Sequence, residues 1–160
     1  MTTSVVVDIA EKVKDALNGH VFSQTFTATR GYAEWDKPLE DDDTTLHVDV
    51  VPLQPGPDLE LSERGTVDYA VEIDIGVRKR LGVASQNDTT GRIETATLDA
   101  LLLLVEEIAE FFPADRLTDA STAAWQSTEI KLLWSKKHLR TMRQFFGFLR
   151  LTFTATKDLA

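Results

Sequence analysis

The stretch VDYAVEIDIGV, residues 67–77, decides the fold. Its odd positions, Val67, Tyr69, Val71, Ile73, Ile75 and Val77, are apolar, and its even positions read Asp68, Ala70, Glu72, Asp74 and Gly76. Alternation with period two marks a β-strand with one buried and one exposed face. The spacing therefore predicts a strand whose wet side carries Asp68, Glu72 and Asp74. Carboxylates two residues apart on a strand lie roughly 7 Å from each other, near enough to share a hard cation. Magnesium or calcium would need further oxygen ligands and a shaped loop, and no D-x-D-x-D-G run supplies one. The plainer reading is a solvated sheet face, because alternation by itself creates such a face.

Downstream, the strand ends in the basic VRKR of residues 77–80, and the polar ASQNDTTGR leads to a helix predicted over Thr95–Phe112. Leu98, Leu101, Leu102, Val105, Ile108, Ala109 and Phe112 recur at helical spacing, Asp99 sits near the positive end, and Pro113 closes the helix. Leu103 and Leu104 widen the apolar stripe beyond one sheet contact, so they are expected to touch another helix or a neighbouring subunit. Beyond it, Glu129–Trp134 predicts a short strand, Lys136–Met142 a helical turn and Phe145–Thr156 a last strand. In that strand Leu149, Leu151 and Phe153 alternate with Arg150, Thr152 and Thr154.

Upstream, residues 4–18 predict a helix with Val6, Ile9, Val13, Ala16 and Leu17 on one face and Glu11, Lys12, Lys14 and Asp15 opposite. Asn18-Gly19 supplies a stop, with Gly19 expected to be left-handed. Val21–Tyr32, rich in threonine and aromatics, suits a strand, and the acidic DKPLEDDD that follows suits an exposed loop. Thr44–Val51 predicts another strand, with Leu46, Val48 and Val50 on one side and His47 and Asp49 on the other. PLQPGPDLEL, residues 52–61, holds three of the five prolines and reads as a long connection rather than a paired central strand. Helix, three strands, helix, two strands gives an α+β fold: a mostly antiparallel sheet of about five strands with two main helices packed on one side. At 160 residues this is a single domain over residues 1–160.

The absence of cysteine excludes disulfides, thiolate metal sites and a cysteine nucleophile. The longest apolar run, near Leu101–Val105, is far short of the roughly twenty residues that a membrane span needs. The opening MTTSVVVDIAEKVKD has neither the basic head nor the apolar stretch of a signal peptide, so a cytoplasmic origin is expected. His20, His47 and His138 are widely separated and fit no zinc spacing. With no G-x-S-x-G, Walker or G-x-G-x-x-G run, the expectation is a non-enzyme without metal or cofactor.

A net charge of −9 argues against a protein that grips phosphates over its whole surface. Between Ile130 and Lys157 the chain nevertheless carries Lys131, Lys136, Lys137, Arg140, Arg143, Arg150 and Lys157 and no acid. Such segregation suits either solvated faces of one fold or head-to-tail contact between a basic and an acidic surface. KKHLRTMRQFF also interleaves cations with Phe145 and Phe146, a pattern suited to single-stranded nucleic acid.

Two of these segments resemble a known family. VDYAVEIDIGVRKRL followed by LDALLLLVEEIAEFF resembles the middle of tail-completion, or tail-terminator, proteins of tailed bacteriophages. SKKHLRTMRQFFGFLRLTFTA is similar to their C-terminal part, where a basic L-R-x-x-R-Q-F segment leads into the last strand. The resemblance covers roughly residues 67–156, and the N-terminal elements agree in kind only. It implies a virion protein assembled in the host cytoplasm that forms a ring, usually a hexamer, at the head-proximal end of the tail. Such a ring ends tail-tube polymerisation and joins the tail to the head connector or head-closure protein, with DNA passing through its lumen without specific binding and no membrane involved. Asp68, Glu72, Asp74, Lys136, Lys137, Arg140 and Arg143 are then the expected lumen or subunit-interface residues. Alternatives are another neck ring subunit (head-closure or tube-like), a small nucleic-acid-binding module using the basic 131–150 segment, and a metal-dependent enzyme built on the strand-face carboxylates. Phe146-Gly147 departs from the small polar residues expected of the family there, leaving open whether the strand pairs through Gly147 or bulges.

Overall fold

Apolar residues at every second position of two long strands set the architecture. The computed structural model describes residues 4–32, 35, 38–40, 43–53, 60–61, 66–81, 95–114 and 123–158, the side chains at 60–61, 66–69, 114 and 156–158 aside. In chain order the elements are α1 (Val5–Asn18), β1 (Ala28–Arg30), β2 (His47–Pro52), β3 (Glu60–Leu61), β4 (Thr66–Arg80), α2 (Thr95–Phe111), β5 (Ala123–Leu132), α3 (Lys136–Thr141) and β6 (Gln144–Asp158). A 3-10 turn, Phe112–Ala114, prolongs α2. The sheet runs β1-β2-β4-β6-β5, with the two-residue β3 beside the start of β4. Among the described strands only the β1–β2 pair is parallel. This is the expected α+β fold, a mostly antiparallel sheet with α1 and α2 on one side, while α3 sits at the start of β6 with its His138 against Phe146 of the other face.

β4 and β6 pair without interruption from Thr66 opposite Asp158 to Arg80 opposite Gln144. Directly opposed residues share a face. Val71, Ile73, Ile75 and Val77 therefore join Leu149, Leu151 and Phe153 on one side, all wholly inaccessible. Against them pack Ile9, Val13 and Leu17 from α1 and Leu101, Leu104, Val105 and Ile108 from α2. Each such side chain stabilises the fold by about 1.5–3 kcal/mol relative to exposure. Leu104 belongs to this core, whereas Leu103, one residue and about 100° earlier on the helix, is 48% exposed.

Several boundaries differ from the sequence expectation for identifiable reasons. The strand expected over Val21–Tyr32 is reduced to Ala28–Arg30. Upstream of it, polar side chains tether the chain to α2 instead of the sheet. Ser23 donates to Glu107 through both its backbone N–H and its hydroxyl, and Gln24 donates to the Ala100 carbonyl. Phe22 and Phe26 stack on each other and pack against the core from this irregular segment. The Asn18 side chain both accepts from the Ala28 N–H and donates to the Ala28 carbonyl, so one amide imitates a strand partner where β1 begins. Arg30 then ties β1 to Glu11 on α1. Gly19 ends α1 with φ −86°, right-handed rather than left-handed as expected.

β5 starts at Ala123, well before the expected Glu129, and is an edge strand with irregularities between Trp125 and Ser127 and between Ile130 and Leu132. Within PLQPGPDLEL, Glu60–Leu61 pairs with Val67 and Asp68, while residues 54–59 lie outside the described part. Gly147 pairs in register with Val77 and does not bulge away from β4. A Cβ at Gly147 would fall 2.7 Å from the Leu133 carbonyl oxygen, so glycine is needed where the end of β5 crosses close over β6.

Candidate functional site

The second face of the β4–β6 pair holds the carboxylates singled out by chemistry. Here Asp74 lies between Val51 of β2 and Arg150 of β6. Its carboxylate accepts from Arg150 Nε at 2.8 Å and Nη2 at 3.2 Å, a two-pronged pair. Asp74 is only 3% exposed, which corrects the expectation that this face is simply wet. Glu72 stands 3.9 Å from Arg150 Nη1, and Glu129 of β5 is in register with Arg150 on its other side. The Asp74 hydrogen bond raises the Arg150 pKa above its ordinary value, against the opposing effect of burial. Asp49 and Arg78 repeat the motif one strand over, at 3.1 Å. Asp68 continues β4, paired with Thr156 and Glu60, but its side chain lies outside the described residues.

Carboxylates held this way are neutralised by arginines of the same chain. They form a strip of ion pairs rather than an open cation site. Among the described residues no three His, Asp or Glu side chains converge as metal ligands would.

Further along the same face, the polar strip gives way to aromatics. The Trp35 ring covers Gly76, where a Cβ would meet it at 2.6 Å. Phe146 and Phe148 flank Trp35, each with centroids 5.3 Å away, and His138 stacks on Phe146 at 4.8 Å. The Gln144 side chain accepts from the Leu39 N–H and Arg80 donates to the Leu39 carbonyl, strapping that segment onto the sheet.

His138 also fixes α3. Ser135 caps the helix by accepting from the His138 backbone N–H at 3.2 Å, and its hydroxyl lies 2.7 Å from His138 Nδ1. His138 Nε2 faces the Trp35 carbonyl at 3.2 Å. Sequence reasoning did not single out this Ser–His contact, although an S-x-x-H run at a helix start signals it. Its partners identify it as a cap: the hydroxyl is engaged by the helix, and the imidazole meets the Ser135 hydroxyl and the Trp35 carbonyl, with no carboxylate orienting it among the described residues. The other histidines sit in separate settings. His20 packs against Phe22 and Phe111. His47 is paired with Asp43 at 2.7 Å, and the Asp43 pKa is lowered mainly by the Thr45 N–H and further by His47.

The basic segment divides by burial. Lys136, Lys137, Arg140 and Arg143 are exposed, with Arg143 at a left-handed φ of 48° and its carbonyl accepting from the Leu81 N–H. Phe145 and Phe146 are 2% and 4% exposed, so neither is available to stack on a base. The structure thus keeps the expected residues in two groups: Glu72 and Asp74 on the sheet face, and the three α3 cations with Arg143 beside it. Beside α3 opens an apolar cleft of about 250 Å³, walled by Leu98, Leu102, Trp134, Leu139 and Phe145. No protein-family model matches this chain, and no curated protein matches it either.

Proposed function

We propose that the chain is a structural, non-enzymatic subunit of a phage tail, forming a ring at the head-proximal end that ends tail-tube polymerisation and joins the tail to the head connector. The observation that carries this reading is the mutual placement of the segments that resemble tail-completion proteins. They become β4, α2, α3 and β6, and these lie together: β4 and β6 pair along their whole length, α2 packs on β6, and α3 leads into it. The resembling segments thus make up the centre of the fold rather than its periphery.

Charge and exposure support work done by surfaces. Asp49 and Asp74 are engaged by arginines inside the chain, while Lys136, Lys137 and Arg140 face outward near the exposed Trp134. A net charge of −9 suits a lumen that surrounds DNA without gripping it, since like charges repel phosphates. The test is the mass of the protein in solution, alone and with tail-tube protein. A ring, hexameric by expectation, that caps tubes and halts their growth supports the reading. A chain that stays monomeric and ignores both tube and connector overturns it.

A further inference from the structure

Two surfaces of the subunit complement each other. The first is the cleft between α2 and α3. Its volume, about 250 Å³, lies below the roughly 300–1,000 Å³ of pockets for drug-sized ligands. It suits one large apolar side chain better than a free small molecule. Ser135 and Leu139 line it, and their chain neighbours Lys136 and Arg140, with Lys137, are exposed. None of these three cations has an ion-pair partner among the described residues. The cleft is apolar within, its α3 side is flanked by these cations, and on its α2 side it is lined by Asp99, the first residue of the stripe described next.

The second surface is the outer side of α2. Asp99, Leu103, Glu106 and Glu110 succeed one another at helical spacing, so they form one stripe, and all four are exposed. Leu103 stands 48% exposed among these acids. The helix carries Asp99, Glu106, Glu107 and Glu110 and no lysine or arginine. Glu106 and Glu110 repel each other at i,i+4, and both lie toward the negative end of the helix dipole, where cations are favoured. The stripe is therefore unfavourable in an isolated subunit and is relieved by cations brought to it.

We infer that the α2 stripe of one copy docks in the α2–α3 cleft of a second copy. Leu103 enters the apolar cleft while Glu106 and Glu110 meet Lys136, Lys137 and Arg140. One apolar anchor seated in a pocket and ringed by complementary charge is the anatomy of a specific protein contact. The occupant is a second copy because the chain itself supplies both halves of the match. The contact does not depend on the ring reading, although a ring has use for it.

Charge reversal in both halves tests the inference. Glu106→Lys with Glu110→Lys reverses the stripe, and Lys136→Glu with Arg140→Glu reverses the rim. All four positions are exposed, and circular dichroism checks that both variants fold. Sedimentation of the wild type should show concentration-dependent self-association that weakens with salt. Each variant alone should associate at least about tenfold more weakly, and an equimolar mixture should recover complex formation. A wild type that stays monomeric, variants that associate like the wild type, or a folded pair that does not recover on mixing would each overturn the contact. Rings that form on the tube equally well from wild type and both variants also overturn it, while leaving the ring reading intact. Self-association lost in both variants and recovered on mixing, by a chain that ignores tube and connector, upholds the contact and removes the ring reading.

Discussion

On the helix side of β4, Val71, Ile73, Ile75 and Val77 are completely inaccessible and belong to the apolar core cluster. On the opposite side the same strand presents Glu72, Asp74, Gly76 and Arg78, of which Asp74 and Gly76 are also buried. The first face is closed by helices, through contacts that need no particular direction. Individually placed partners close the second, Arg150 on Asp74, Trp35 on Gly76 and Asp49 on Arg78. Non-directional packing tolerates repacking among apolar residues, whereas a paired charge or a ring over a glycine fails when one atom group changes. The difference teaches that burial alone does not say what kind of interaction a residue makes.

Substitutions on each side can break or sharpen that contrast. Ile75→Ala removes three buried carbons from the helix side and should cost about 3–4 kcal/mol in urea unfolding; a loss under 1 kcal/mol, read on the order of cavity costs, would mean that this face is not the principal core. Arg150→Ala leaves the Asp74 carboxylate, 3% exposed, without its counter-charge and should cost about 3 kcal/mol. Replacing both partners, as Asp74→Leu with Arg150→Met, should return stability to within about 1 kcal/mol of the parent. If the double replacement is as damaging as the single one, the pair is more than a neutralised charge. Gly76→Ala drives a methyl into the Trp35 ring and should cost about 2 kcal/mol. Its thermal midpoint should recover in part when Trp35→Ala is added. Unchanged stability in the single variant would show that Trp35 does not rest on the sheet.

Much of this arrangement was legible in the residues. The alternation in β4 and β6, the helical spacing of α2 and the turn at Lys136–Thr141 each reflect a local pattern that packing then obeys. The first half of β5 was not legible: Ala123, Ala124 and Ser127 have little strand preference, and pairing with β6 makes them a strand. Val21–Thr27 had the composition of a strand but lost to hydrogen bonds from Ser23 and Gln24 across α2. Exposure of Lys136, Lys137 and Arg140 could be read from a basic stretch without a single acid between Ile130 and Lys157. The burial of Asp74 could not, because its cause lies in Arg150 and in neighbouring strands distant along the chain. The same applies to Trp35, a single aromatic in a polar stretch with no periodic partner.

The pairing of β4 with β6 also shapes how the molecule comes into being. These strands are separated along the chain by α2, β5 and α3, so the central pair has high contact order and its closure is entropically slow. During synthesis the apolar side of β4 emerges long before Leu149, Leu151 and Phe153 are available to lie beside it. Until then α1, β2 and α2 supply the apolar surface at hand, and β4 offers an open edge of the kind that invites wrong partners. β6, made after β4, α2 and β5, is thus the strand that both completes this core and covers that open edge of β4, so the central pair closes only once β6 is in place.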